Sequence, residues 1–227
     1  MCRFKERGII MRIKDKTMIH IHRNGIHDDV WHEGNEFLVD NNYNSSFTSN
    51  FDISTGIRFN DNCVIPIDHL LQEMSNKFVT TDSILQFKNL SDEDFIKNCF
   101  FLREMIEKSL EMLIQMGLKN REEALEKVRK ISYPNKPSRY HCLWVCDEYS
   151  KDFWSNMIDD DCSIYNVLLN GHIFKSSDSF LPNYYDTKEK QIMEADKYWN
   201  PVFKTEQELK EAEYLFQGRA KVLKRVK

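Results

Sequence analysis

The chain has 227 residues, of which 41% are hydrophobic, 12% aromatic and 30% charged, enough for one domain with a sizeable core. Its net charge of −4 speaks against a general nucleic-acid binder, and only 7 Gly and 5 Pro speak against a disordered or linker-rich chain. No apolar run reaches the length of a transmembrane helix, so no membrane partner is expected.

The start, MCRFKERGIIMRIKDK, is basic and lacks the apolar stretch of a secretory signal. Residues 1–16 are expected to be a lead-in, and 17–227 a single domain. TMIHIHRN (17–24) reads as a short strand, with Met18, His20 and His22 on one face and Ile19 and Ile21 on the other. The next segment, to residue 62, is rich in Asn, Asp, Ser and Gly and reads as a long loop with short strands such as Phe37–Val39.

Residues 90–117 form the clearest helix. Ser91 caps it, Asp92 and Glu93 suit its positive end, and Gly117 is expected to end it. A second helix is expected over 121–131, broken by YPNKPSR. YHCLWVCD (140–147) reads as a buried strand. SIYNVLLNGHIFKS (163–176) reads as two strands that turn at Asn170-Gly171. Residues 187–199 form an amphipathic helix, and Thr205–Glu208 is a capping box for another short one. Strands and helices are mixed without regular alternation, which predicts an α+β fold.

The chemistry concentrates near the end, in EAEYLF (211–216). In an extended segment, residues i and i+2 point the same way, so Glu211 and Glu213 face one cleft if the strand begins there. Two such carboxylates can steady a developing cation and orient a nucleophile. The bland alternative is a pair of solvated charges at a helix end. His20, His22, His27 and His32 also cluster, and an H-x-H pair on one strand face is a legitimate metal pair, but no compact carboxylate motif completes it. The six cysteines are dispersed, and Cys142 and Cys146, with three residues between them, lack a second pair for zinc. Reduced thiols and a cytoplasmic setting are expected, in bacteria or in a host cytosol. The tail RAKVLKRVK reads as the solvent face of an edge strand in preference to a nucleic-acid patch.

E-x-E, three apolar residues and then a strand resembles the C-terminal catalytic element of the ADP-ribosyltransferases. MIHIHRNG is similar to the Tyr-His-Gly-Thr strand of the diphtheria-toxin-like branch. His20 stands in the His position, although Ile21 and His22 replace Gly and Thr. Arg23 is the alternative anchor, of cholera-toxin-like type. KPSRYHCLWV, with Ser138, Arg139 and Tyr140, resembles the Ser- or Tyr-led middle strand that borders the nicotinamide pocket. Its Pro-Ser-Arg lead is similar to an uncharacterised bacterial branch in which a "YW" helix, here Ala195–Trp199, precedes the final Glu element.

The resemblance implies a split β-sandwich core with flanking helices and NAD as substrate. Glu213 would steady the oxocarbenium-like state formed as nicotinamide leaves, and Glu211 would position the acceptor. Ser138 would sit near Glu213 and Tyr140 would stack on nicotinamide. His20, Arg23 and Arg139 would hold the dinucleotide. The implied acceptor is a protein or nucleic acid and the implied role a toxin, effector or phage-defence enzyme, with an antitoxin or immunity protein as a possible partner. Two rivals remain: a binding protein of the same fold without turnover, and a His-based metal hydrolase.

Overall fold

The computed structural model describes residues 10–24, 28–43, 56–60, 63–66, 89–158 and 161–227, together with Gln72. His27 and most of the loop region before residue 89 lie outside them. The chain divides into two compact units, one of residues 1–49 and 119–227, the other of residues 50–118.

The first unit is mixed helix and antiparallel sheet, an α+β fold. Its centre is β6 (Cys162–Ser177), flanked on one side by β1 (Ile10–Arg23) and on the other by β7 (Ala212–Arg225). The far side of β7 carries β5 (Leu143–Val145) against Tyr214–Phe216, and β2 (Glu36–Val39) against Gly218–Lys221. Ile19 of β1 also exchanges both backbone hydrogen bonds with Cys146, just past β5, at 3.0 and 2.8 Å. Pairing therefore runs β1–β6–β7–β5 and returns to β1, so the sheet curls on itself.

The curl gives the sheet an inner and an outer face. Met18, Val39, Leu143, Val145, Tyr165, Val167, Leu169, Ile173, Tyr214, Phe216 and Val222 form the main core inside. Outside, Phe174 and Leu215 pack with Leu125 of α1 (Asp92–Ser132) and with Ala195, Tyr198 and Trp199 of α3 (Lys188–Trp199). Ile19, Ile21, Cys146 and Ile164 meet Trp154 and Ile158 of α2 (Lys151–Ile158). The predicted alternation of 18–22 is thus present, but β1 starts at Ile10, well inside the expected lead-in. In the second unit, β3 (Gly56–Asn60) and β4 (Cys63–Pro66) form an antiparallel pair.

The expected caps form. The Ser91 hydroxyl accepts from Asp94 N–H, and Thr205 with Glu208 closes a reciprocal box on α4 (Glu206–Lys210), while Thr187, expected inside its helix, instead caps α3. Two expected breaks do not. The helices predicted over 90–117 and 121–131 are one element of 41 residues. A helical glycine costs only about 1 kcal/mol against alanine, less than burying a side chain such as Leu125 contributes.

Asn170-Gly171 does not turn either, and β6 runs straight through it. There Gly171 lies opposite Gly218, and a Cβ on Gly171 would sit 2.2 Å from the Gln217 carbonyl oxygen and 2.8 Å from Gly218 Cα. The glycine permits close backbone approach in place of a turn. Asn170 ties the bulge of β1: its amide oxygen accepts from Asp15 N–H at 2.8 Å, and its Nδ2 donates to the Asp15 carboxylate at 3.1 Å.

Gly171→Ala is therefore expected to destabilise the protein by about 3 kcal/mol, as overpacking against fixed backbone does. Gly34→Ala, at φ 85° with open space around it, should cost only about 1 kcal/mol of backbone strain. Urea denaturation of the two variants beside the wild type measures the contrast.

Candidate functional site: a buried arginine network

Ser138 lies at the end of the proline-rich segment, where its hydroxyl accepts from Tyr140 N–H at 3.3 Å and caps a 3-10 turn over Arg139–His141. That turn aims Arg139 at the outer face of the sheet. The guanidinium is 3% exposed and holds Glu122 with two bonds, Nε to Oε2 at 2.6 Å and Nη2 to Oε1 at 3.2 Å. Its Nη1 donates to the Glu213 carboxylate at 2.7 Å and to the Tyr198 hydroxyl at 2.5 Å. Tyr198 in turn donates its own proton to Glu213. The guanidinium carbon sits 4.3 Å from the Trp144 ring centre and 4.7 Å from that of Tyr198, in cation–π contact with both.

Each member is placed by its own element. Glu213 is the second residue of β7, opposite Ser176, and shares the outer face with Leu215. The Ser176 hydroxyl donates to the Tyr198 carbonyl at 2.8 Å, and Trp199 Nε1 donates to the Leu125 carbonyl at 2.8 Å. These bonds fix the end of α3 against β6 and α1. Glu122 lies on α1 one residue from Arg121, whose Nη2 donates to it at 3.2 Å. Two arginines and two glutamates therefore balance in charge.

Burial pushes the Glu213 carboxyl up, while the Arg139 guanidinium and the Tyr198 hydroxyl hold it down. Burial likewise lifts Asp178, against the pull of Arg121 and Arg139. The Tyr140 phenol is raised by burial and by Glu122, Glu123 and Glu126 nearby.

The structure thus brings Ser138, Arg139, Tyr140 and Glu213 to one side of the sheet. The Ser138 hydroxyl donates to Glu126 at 3.0 Å, so Arg139, not Ser138, touches Glu213. Glu211 stands apart, because β7 begins only at Ala212. As the C-cap of α4 its ψ is 11°, not extended, and its half-exposed carboxylate accepts from Ser179 and Gln207. The predicted shared face fails for that backbone reason.

His20 does not join them. It points into the sheet's inner face and stacks on Trp31 at 4.0 Å, while its Nδ1–H donates to the Trp144 carbonyl at 2.8 Å. His22 meets Asp28 at 2.7 Å. Arg23 is exposed beside Cys162, at the opposite end of β6 from Ser176 and Glu213. Among the described residues no group of three His, Cys, Asp or Glu gathers to hold a metal. Cys99, Cys142, Cys146 and Cys162 are free thiols.

Sequence reasoning missed Glu122 and Asp178. Glu122 had a signal: it sits beside the apolar pair Ala124-Leu125, on a helix that has to pack. Tyr198 belongs to the YW helix already singled out, without a role.

The fold and site define an α+β protein whose curled antiparallel sheet carries a closed Arg–Glu–Tyr–Glu network on its outer face. The model of a family described as a protein of unknown function, DUF2441, matches residues 18–227, and the chain belongs to that family. No curated protein matches it. Among the described residues no helix is long and apolar enough to cross a membrane.

Glu122→Ala leaves Arg139 with one fewer buried counter-charge and is expected to cost about 3 kcal/mol or more, read by chemical denaturation. His20 titrates separately. Burial and the His22 ring push it down to about 3 against the Trp144 carbonyl. A base whose folded pKa lies below its unfolded value contributes stability above the unfolded pKa, which is lost as pH falls towards the folded one. The His20 contribution should thus fade from about pH 6.5 downward, and NMR at pH 5 should find its ring neutral.

Proposed function

We propose that the protein transfers ADP-ribose from NAD to a macromolecular acceptor, protein or nucleic acid, on a split β-sandwich of ADP-ribosyltransferase type. The observation that carries the reading is the delivery of E-x-E: one carboxylate, Glu213, is buried among donors at the start of the last strand, and the other, Glu211, is left at the surface two residues earlier. The roles follow from those places. Glu213 accepts a hydrogen bond from the ribose 2′-hydroxyl and steadies the oxocarbenium as the nicotinamide departs with the electrons of the C–N bond. Glu211 orients and deprotonates the acceptor, whose lone pair forms the new bond to the ribose carbon.

Arg139, expected with His20 and Arg23 to hold the dinucleotide, is the one of the three that contacts Glu213, and it serves as the cation beside the reacting ribose. NAD reaches Glu213 by displacing the Tyr198 hydroxyl. One O–H donor replaces another, so the carboxylate keeps its bond count. On this reading the protein works in a cytosol as a toxin, effector or phage-defence enzyme, and a neutralising antitoxin or immunity protein is its natural partner.

One observation favours a second reading, a binding protein of the same fold without turnover. Glu213 is 3% exposed and already engaged by Arg139 and Tyr198, as a carboxylate that only holds the fold together would be. The metal-hydrolase reading has no such support, since His20 and His22 are tied to Trp144 and Asp28.

Nicotinamide release from NAD, measured beside label transfer to lysate proteins and nucleic acids, separates the two. Glu213→Gln should lower both by at least about a hundredfold, the scale of losing one such stabiliser, in a protein that circular dichroism shows folded. Glu211→Gln should keep slow nicotinamide release to water and lose transfer. A wild type that neither binds nor cleaves NAD establishes the binding-protein reading.

A further inference from the structure

The first half of α1, residues 92–118, is apolar on two faces. At 100° per residue, Met105, Ser109 and Met112 share one face and are buried. Ile96, Phe100, Ile106, Leu110 and Leu113 spread over the adjoining arc of about 140°, and each is over half exposed. A helix inside a monomer has one apolar stripe, and a second of this length marks a contact surface. Across its middle lies an ion pair, Arg103 Nε to Glu107 Oε1 at 2.8 Å, with both side chains exposed.

We infer that this face is a homodimer interface in which two copies of α1 pack antiparallel, about a two-fold axis near residue 105. The charges choose both the occupant and the direction. In an antiparallel pair centred there, Arg103 of each copy comes beside Glu107 of the other, Phe100 meets Leu110, and Ile96 meets Leu113. In a parallel pair Arg103 would face Arg103 and Glu107 would face Glu107, which is repulsive. The stripe is therefore complementary to its own reverse, which is the requirement of an isologous contact. The five side chains of each copy together bury on the order of 1,000 Å², the lower bound for a specific interface. The interface depends on neither reading of Glu213.

Light scattering coupled to size exclusion, with the full chain at micromolar concentrations, tests the inference. The wild type should run as a dimer, and Leu110→Glu as a folded monomer, with Leu113→Glu as a second probe of the same face. Arg103→Glu and Glu107→Arg should each weaken the dimer at least tenfold, and the two combined in one chain should restore it. A monomeric wild type would overturn the inference. So would a dimer untouched by both leucine substitutions, or one that the double exchange fails to restore when each single variant weakens it.

Discussion

One buried guanidinium organises the outer face of this protein. Arg139 is held by Glu122 of α1, Tyr198 of α3 and Glu213 of β7, and it lies against Trp144 of β5. Four elements distant in sequence thus converge on one planar cation. A lysine could not do this, because the contact uses two ring faces and a fork of directed N–H donors. Taking such ions out of water is costly and is offset only when every partner is in place. The price is met here by charge balance, with Arg121 as the second cation beside Glu122. Burial lifts the nearby Asp178 carboxyl against the pull of the same two arginines.

The same arrangement decides which residues can act together. Because the sheet curls until β5 returns to β1, alternate residues of each strand face either an apolar interior or the helices outside. His20 and Glu213 fall on opposite sides of that wall. A single ligand cannot touch both without passing through the sheet, so the dinucleotide-binding role that the family resemblance assigns to His20 has no geometric route to Glu213. His20 belongs instead to an aromatic group with Trp31, His22 and Tyr165, where burial and the neighbouring His22 favour its neutral form against the pull of the Trp144 carbonyl. Tyr140 and Arg139, carried by the same turn, are on the side of Glu213.

The sequence made local features plain and long-range ones obscure. The caps at Ser91 and Thr205 were legible because capping is settled within four residues. The alternation of Met18 to His22 was legible because a strand half-buried on each face repeats every two positions. Gly117 misled because a helix tolerates one glycine at small cost, and Asn170-Gly171 for a different reason. A glycine signals that something needs a missing side chain, but not whether it is a turn or a neighbouring backbone. For Gly171 the neighbour is Gly218, 47 positions later, and nothing local announces it. Glu213 was found from its motif. Its partner Glu122 was not, since a glutamate on a helix is ordinarily solvated, and only the arrival of Arg139 makes burial there tolerable.

The closed state of the network and a catalytic role for Glu213 are compatible on physical grounds. A carboxylate that steadies an oxocarbenium has to be ionised, oriented and shielded from water, and burial alone would protonate it. Arg139 supplies a charge that opposes that effect of burial, while Tyr198 supplies an O–H donor at the place a ribose hydroxyl would take. The tyrosine hydroxyl also accepts from Arg139, so when it withdraws, one Nη1 hydrogen is freed at the same moment and in the same place. A ribose offers both a donor hydroxyl and an acceptor oxygen, and can satisfy both vacated positions together. The exchange displaces one ring, whereas an aliphatic ligand entering at the same point would strand a guanidinium hydrogen and a carboxylate oxygen.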